Sequence, residues 1–99
     1  MDSDFHCMTV VSERLLKDDI IELMKEEGAK GFSITDSVGE GSRGVHASDW
    51  EGRNVKIESI VHDETAKRIL KRIAEDYFED YAVIAYTYPV TVVREQKFK

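Results

Sequence analysis

Two blocks of helical spacing, each set between strand-like alternations, restrict this chain more than any single motif. Ala66, Ile69, Leu70, Ile73, Ala74 and Tyr77 recur every three or four residues, while Lys67, Arg68, Lys71, Arg72, Glu75 and Asp76 occupy the other side. Such a stripe is the apolar face of an amphipathic helix and requires a surface to cover. Leu16, Ile20, Leu23 and Met24, widened by Ile21, form a shorter stripe of the same kind. Asp18 and Asp19 suit its first turn and Gly28 its C-terminal stop.

The surface to be covered is a sheet. Phe5 to Val11 is β-branched and apolar, with Ser12 to Arg14 as its exit, and Phe32 and Ile34 alternate on one face of a second strand. Val55, Ile57, Ser59 and Val61 alternate with Lys56, Glu58 and His62 in a third, and Asp63 suits the N-cap of the helix that follows. Tyr81 to Tyr88 is apolar on both faces and reads as a central fourth strand. Pro89 lacks an amide donor and marks a bend or bulge before a short edge strand at Val90 to Arg94. The order β-α-β-β-α-β, with right-handed crossovers, gives an α+β ferredoxin-like sandwich with both helices on one face of an antiparallel sheet. The other face, around Phe5, Val55 and Tyr86, then needs its own cover, and packing of several subunits supplies one.

At 99 residues, of which 41% are hydrophobic and 34% charged, the chain is one folded domain spanning 1–99. A net charge of −6 excludes a general DNA-coating role, which draws its affinity from a broad basic surface, but leaves room for one local phosphate pocket. No run approaches the ~20 apolar residues of a membrane span, and Met1 to Asp4 lacks a signal-peptide start, so the expectation is a soluble, cytoplasmic protein. Cys7 is the lone cysteine, which rules out an internal disulfide and a multi-cysteine zinc cage.

Between the second and third strands, Gly39 to Asn54 has neither helical nor strand period, a long connection where hairpin loops usually take two to five residues. Gly39-Glu40-Gly41-Ser42-Arg43-Gly44 combines permissive backbone, a hydroxyl and a guanidinium, the parts that wrap a phosphate. A structurally silent loop would also be rich in Gly and Ser.

The element order, the long loop, Gly28-Ala29-Lys30-Gly31, the Gly39-Glu40-Gly41-Ser42-Arg43 run and Tyr77-Phe78-Glu79-Asp80-Tyr81-Ala82 together resemble the PII-like signalling proteins. More narrowly, they resemble the carboxysome-associated and bicarbonate-transporter-associated branch, over Met8 to Phe98. The resemblance implies a homotrimer with three intersubunit clefts, each binding AMP, ADP, ATP or cyclic AMP beneath a T-loop at about 39–54. It also implies a bicarbonate-linked response and loop contacts with a bicarbonate transporter or another carbon-concentrating component. Residue by residue it points to Gly39, Gly41, Ser42 and Arg43 at the phosphate and to Thr35, Asp36 and Ser37 beside ribose and base. The backbone of Ala82 and Val83 would lie at adenine. Where relatives carry a second arginine, this chain has His46, which weakens the expected cyclic-nucleotide grip and makes phosphate binding pH-sensitive near the ~6.5 of imidazole. The C-terminal run Glu95-Gln96-Lys97-Phe98-Lys99 lacks the cysteine that some relatives use for redox control.

The remaining motifs have plainer readings. His6, Cys7 and Met8 alternate across a strand and so do not chelate one ion together. Asp76, Glu79 and Asp80 read as a solvated face. Lys67, Arg68, Lys71 and Arg72 read as intrahelical pairing, not a nucleic-acid surface. Trp50 is either packed on its own loop or an anchor for a partner. The function that emerges is a non-enzymatic sensor without a metal cofactor or catalytic residues, reaching a membrane only through a protein partner. Slow nucleotide phosphohydrolysis and a metal-linked trimer are the alternatives.

Overall fold

Alternate burial along the third strand organises the molecule. In the computed structural model, which describes residues 2–37 and 54–93, Val55, Ile57, Ser59 and Val61 are buried while their neighbours are half-exposed. The elements are β1 (Asp2–Glu13), a single 3-10 turn (Arg14–Leu16), α1 (Lys17–Glu26), β2 (Ser33–Ser37), β3 (Asn54–His62), α2 (Asp63–Tyr77) and β4 (Ile84–Val92). The strands form one antiparallel sheet in the order β2-β3-β1-β4, which is the ferredoxin-like α+β arrangement.

Met8 and Val10 of β1 and Val55, Ile57 and Val61 of β3 meet Ile20, Leu23 and Met24 of α1 and Ala66, Ile69 and Ile73 of α2 in a single core. Both helices thus cover the same sheet face. Ala74, placed in the stripe by spacing, is exposed at its margin. Gly28 ends α1 in the left-handed region at φ +117°, where a Cβ would be strained.

Several sequence expectations are corrected. Strand β4 is at an edge, not central. Its apolar character on both sides arises because Ala85 packs toward the core while Ile84, Tyr86 and Tyr88 stand on the uncovered face. Pro89 does not separate two strands, since β4 runs through it to Val92. Pro89 pairs with His6, a position an edge strand tolerates. The register irregularity lies just beyond, between Asp2 and Phe5 of β1. Asp63 is the first helical residue, not the N-cap, which is His62 without a side-chain capping bond. Strand β2 starts at Ser33, so Phe32 precedes it and packs against the core while Ile34 stays exposed. Val55 belongs to the helix-covered face, and Phe5 is fully buried within the subunit, stacked on His62 at 4.5 Å.

The basic stripe of α2 is only half intrahelical. Lys67 and Lys71 pair with Asp63 and Glu75 four residues away, whereas Arg68 and Arg72 reach Glu27 and Glu26 and tie α2 to the end of α1. These hydrogen bonds hold the Arg72 guanidinium above its ordinary pKa. Among the described residues, no helix is long and apolar enough to cross a membrane.

Candidate ligand cleft

The sheet register places Thr35 and Ser37 in two successive rows at one end of the uncovered face. On the uncovered face Thr35 pairs with Lys56, Lys56 with Val11 and Val11 with Ile84. In the next row of that face Ser37 pairs with Asn54 and Asn54 with Glu13. Ala82 and Val83 lie just before Ile84, where β4 begins beside Val11. This is also the end from which the 38–53 segment departs.

The described candidate residues divide between opposite sheet edges. Thr35, Asp36 and Ser37 belong to β2, whereas Ala82 and Val83 precede β4. Three strand spacings separate the edges, roughly 14 Å. One subunit therefore does not bring the two groups together. Thr35 and Asp36 also face opposite sides of the sheet, because successive strand residues alternate. Asp36 is engaged, accepting a hydrogen bond from Arg14 Nη2 in an ion pair at the surface. Val83 packs against the core, and its N–H donates to the Tyr81 carbonyl at 3.0 Å. Gly39, Gly41, Ser42, Arg43 and His46, together with Trp50, lie outside the described residues.

A cavity of about 260 Å³ opens where β2 stops short of β3, lined by Cys7, Gly31, Phe32, Ser33, Glu58, Ser59 and Ile60. Strand β2 pairs with β3 only as far as Glu58, so Ser59 and Ile60 lack a strand partner on that edge. Ser59 compensates by donating its hydroxyl to the Gly31 carbonyl at 2.7 Å, which fixes the segment entering β2. The lining mixes apolar Phe32 and Ile60 with hydroxyls and a carboxylate, suiting a flat ring bearing polar edges. Its volume is below the ~300–1,000 Å³ usual for a complete small-molecule site. Sequence reasoning missed this cavity, although Ser59 among core-facing residues and Glu58 within an apolar strand were its traces.

A second cavity, about 530 Å³, lies at the opposite end of the sheet against Asp4, His6, His62, Asp63, Glu64 and Thr65. His6 bonds Thr87 Oγ1 at 3.2 Å and approaches Asp63 Oδ1 at 3.6 Å, while His62 stacks on Phe5 across the sheet. The two imidazoles thus face opposite sides. Among the described residues, no group of three or more His, Cys, Asp or Glu side chains is arranged to hold a metal ion.

Among the described residues, β4 leaves large apolar side chains exposed on the uncovered face. Ile84 is 60% exposed, Tyr86 41% and Tyr88 43%, the two tyrosine rings stacked at 6.3 Å. The Cys7 thiol donates toward Glu58 Oε2 at 3.5 Å. A hydrogen bond to Cys7, reinforced by nearby negative charge and burial, pushes the Tyr88 phenol up to about 12. Tyr86 and Tyr88 thus give this face aromatic surface beside the charged side chains of Lys56 and Glu58.

Residues 5–97 of the chain match the family described as nitrogen regulatory protein P-II. The chain belongs to the P-II family. It is similar throughout its length to a PII-like signalling protein from Thermus thermophilus, at 49% identity, full coverage of both chains and a TM-score of 0.84. The fold is shared with CPII of Thiomonas intermedia bound to ADP and bicarbonate, at 22% identity, 96% and 94% coverage and a TM-score of 0.83. It is shared also with Arabidopsis thaliana PII bound to citrate, at 20% identity, 99% and 89% coverage and a TM-score of 0.70. For this P-II family chain the cavity beside Ser33 and the split rows at the loop base are the candidate cleft.

Proposed function

We propose that this chain is the subunit of a homotrimeric PII-like sensor that binds an adenine nucleotide between subunits and signals through a T-loop at about 39–54. The observation that carries this reading is the division of the candidate residues between the two sheet edges, because a site so divided closes only when a second copy supplies the missing half. The small cavity at Gly31 to Ser33 takes the base, the β2 edge guides ribose and phosphates toward Ser37, and Gly39, Gly41, Ser42, Arg43 and His46 receive the phosphate. A neighbour's Ala82 and Val83 segment closes the other side. The ADP and bicarbonate bound by CPII support the same ligand classes here.

The output is a changed affinity of the loop for a bicarbonate transporter or another carbon-concentrating component in the cytoplasm. Coupling requires that the nucleotide bind one loop conformation better than the others. Thr35, Asp36 and Ser37 contribute at the ribose side, Asp36 through its ion pair with Arg14. The role is non-enzymatic, and a phosphate-release assay with ATP and ADP is the check on that part.

Thermal unfolding against AMP, ADP, ATP, cyclic AMP and GTP, with and without bicarbonate, tests the ligand class. A ligand at one hundred times its dissociation constant adds ~2.7 kcal/mol per site, a shift of several degrees in a domain of this size. An adenylate-selective shift that bicarbonate enlarges is the expected result. A GTP shift equal to those of the adenylates would contradict adenine selectivity, and no shift at all would remove the nucleotide.

A further inference from the structure

Phe5 is hidden on a side of the sheet that no helix covers. It pairs with His62 and Val90, and its side chain falls on the face opposite Met8 and Val10, which meet the helices. Cys7 and Thr9 follow it on that face and are small enough to be screened by the flanking strands, but a phenyl ring stands well clear of the backbone. Its exposure is nevertheless 0%. His62 stacks on the ring at 4.5 Å, and the rest of its cover comes from within the subunit, since the burial holds for a single chain.

The cavity of about 530 Å³ begins beside this ring, where His62 leads from β3 into α2. It wraps the end of the sheet, because His6 and His62 face opposite sides, and Asp4, Asp63 and Glu64 give it a negative rim. Asp63 and Glu64 stand in the first turn of α2, where the helix dipole favours carboxylates. His6 and Lys67 already approach Asp63, each at 3.6 Å, whereas Glu64 is exposed.

The chain itself arrives at this place. Strand β4 ends at Val92, which pairs with Asp2, and the chain bends at Val93. Residues 94–99 lie outside the described residues. Their sequence, Arg94-Glu95-Gln96-Lys97-Phe98-Lys99, sets three cations against one carboxylate around a single aromatic ring. Crossing β1 to the level of β3 takes two strand spacings and returning from Asp2 to Phe5 takes three residues, a path of roughly 14 Å. The extended chain from Val92 to Lys97 reaches ~17 Å.

We propose that the segment 94–99 folds back along the end of its own subunit's sheet, packing Phe98 on Phe5 and His62 and bringing Lys97 and Lys99 to the carboxylates of the cavity. In an extended segment Lys97 and Lys99 point to one side and Phe98 to the other. The ring therefore turns to the uncovered face while the ammonium groups turn toward Asp63 and Glu64. This closes the far end of the uncovered face with the chain's own residues and leaves Ile84, Tyr86 and Tyr88 as the surface for assembly. It does not depend on the nucleotide reading.

Disulfide trapping in the full chain provides the test. Glu64→Cys with Lys97→Cys joins the cavity to the segment. Leu15→Cys with Lys97→Cys is the control, because Leu15 is exposed in the turn after β1, at the other end of the sheet. Docking raises the effective concentration of the first pair of thiols, so under the same mild oxidation its disulfide forms at least about tenfold faster than the control and within single chains. Adding Phe98→Asp slows it to the control rate. Ending the chain at Val93 uncovers Phe5 and lowers the melting temperature by several degrees. Equal rates for the two pairs, cross-linked dimers and trimers in place of single chains, a rate unmoved by Phe98→Asp, or an unchanged melting temperature after truncation would overturn the proposal.

Discussion

Ile84→Asp combined with Tyr88→Glu is expected to convert the trimer into folded monomers. Both side chains stand on the uncovered sheet face, exposed by 60% and 43%, and neither belongs to the buried core of the subunit. The substitutions therefore leave the helix-covered core intact, and far-ultraviolet circular dichroism should change little. In an assembly where three such faces meet, each subunit would bring two unpaired charges into a desolvated centre at a cost of several kcal/mol per ion. A thousandfold or greater weakening of association, roughly 4 kcal/mol, is the expected magnitude. Sedimentation equilibrium reads the outcome directly. A doubly substituted protein that remains trimeric at micromolar concentration would place the interface elsewhere.

The second large effect concerns Arg43. Arg43→Ala should weaken ADP binding by about tenfold to a hundredfold, the range expected for loss of a charged hydrogen-bonding partner to phosphate. Arg43→Lys should recover part of the affinity, because an ammonium keeps the charge but loses the fork. The trimer should persist in both variants, since neither substitution alters Ile84 or Tyr88. Calorimetry and sedimentation on the same preparations separate the two roles. Unchanged ADP affinity in Arg43→Ala removes the residue from the site, whereas loss of the trimer makes it an assembly residue.

The parts of the fold legible in the sequence were those whose periodicity has one cause. Strand β3 alternates because one face meets the helices, and its buried positions follow Val55, Ile57, Ser59 and Val61 as expected. Helix α2 shows its stripe because Ala66, Ile69 and Ile73 face the core. Strand β4 misled because two causes overlap. Ala85 faces the core, while Ile84, Tyr86 and Tyr88 form the uncovered surface, so an edge strand takes on the composition of a central one. Local sequence carries no record of which other strand lies alongside.

The candidate site rests on resemblance more than on periodicity. Resemblance points to Thr35 to Ser37 and to Ala82 and Val83, and the fold puts the first group on strand β2 and the second just before β4, at opposite sheet edges. The cavity at Gly31 to Ser33 was not legible, because it depends on β2 ending before β3 does, a matter of pairing length between residues far apart in the chain. The ion pair of Arg14 was not legible for the same reason. Its partner Asp36 is 22 residues away, and only the sheet brings the turn after β1 beside the end of β2.

The central claim is that adenine nucleotide binds in clefts between three copies of this chain. Native mass spectrometry of the purified protein with ADP measures stoichiometry and assembly together. A trimer carrying up to three ADP molecules, with no ADP on any monomer produced by Ile84→Asp and Tyr88→Glu, is the predicted result. A monomer that binds ADP as tightly as the assembly would contradict it, because a complete site would then lie within one subunit.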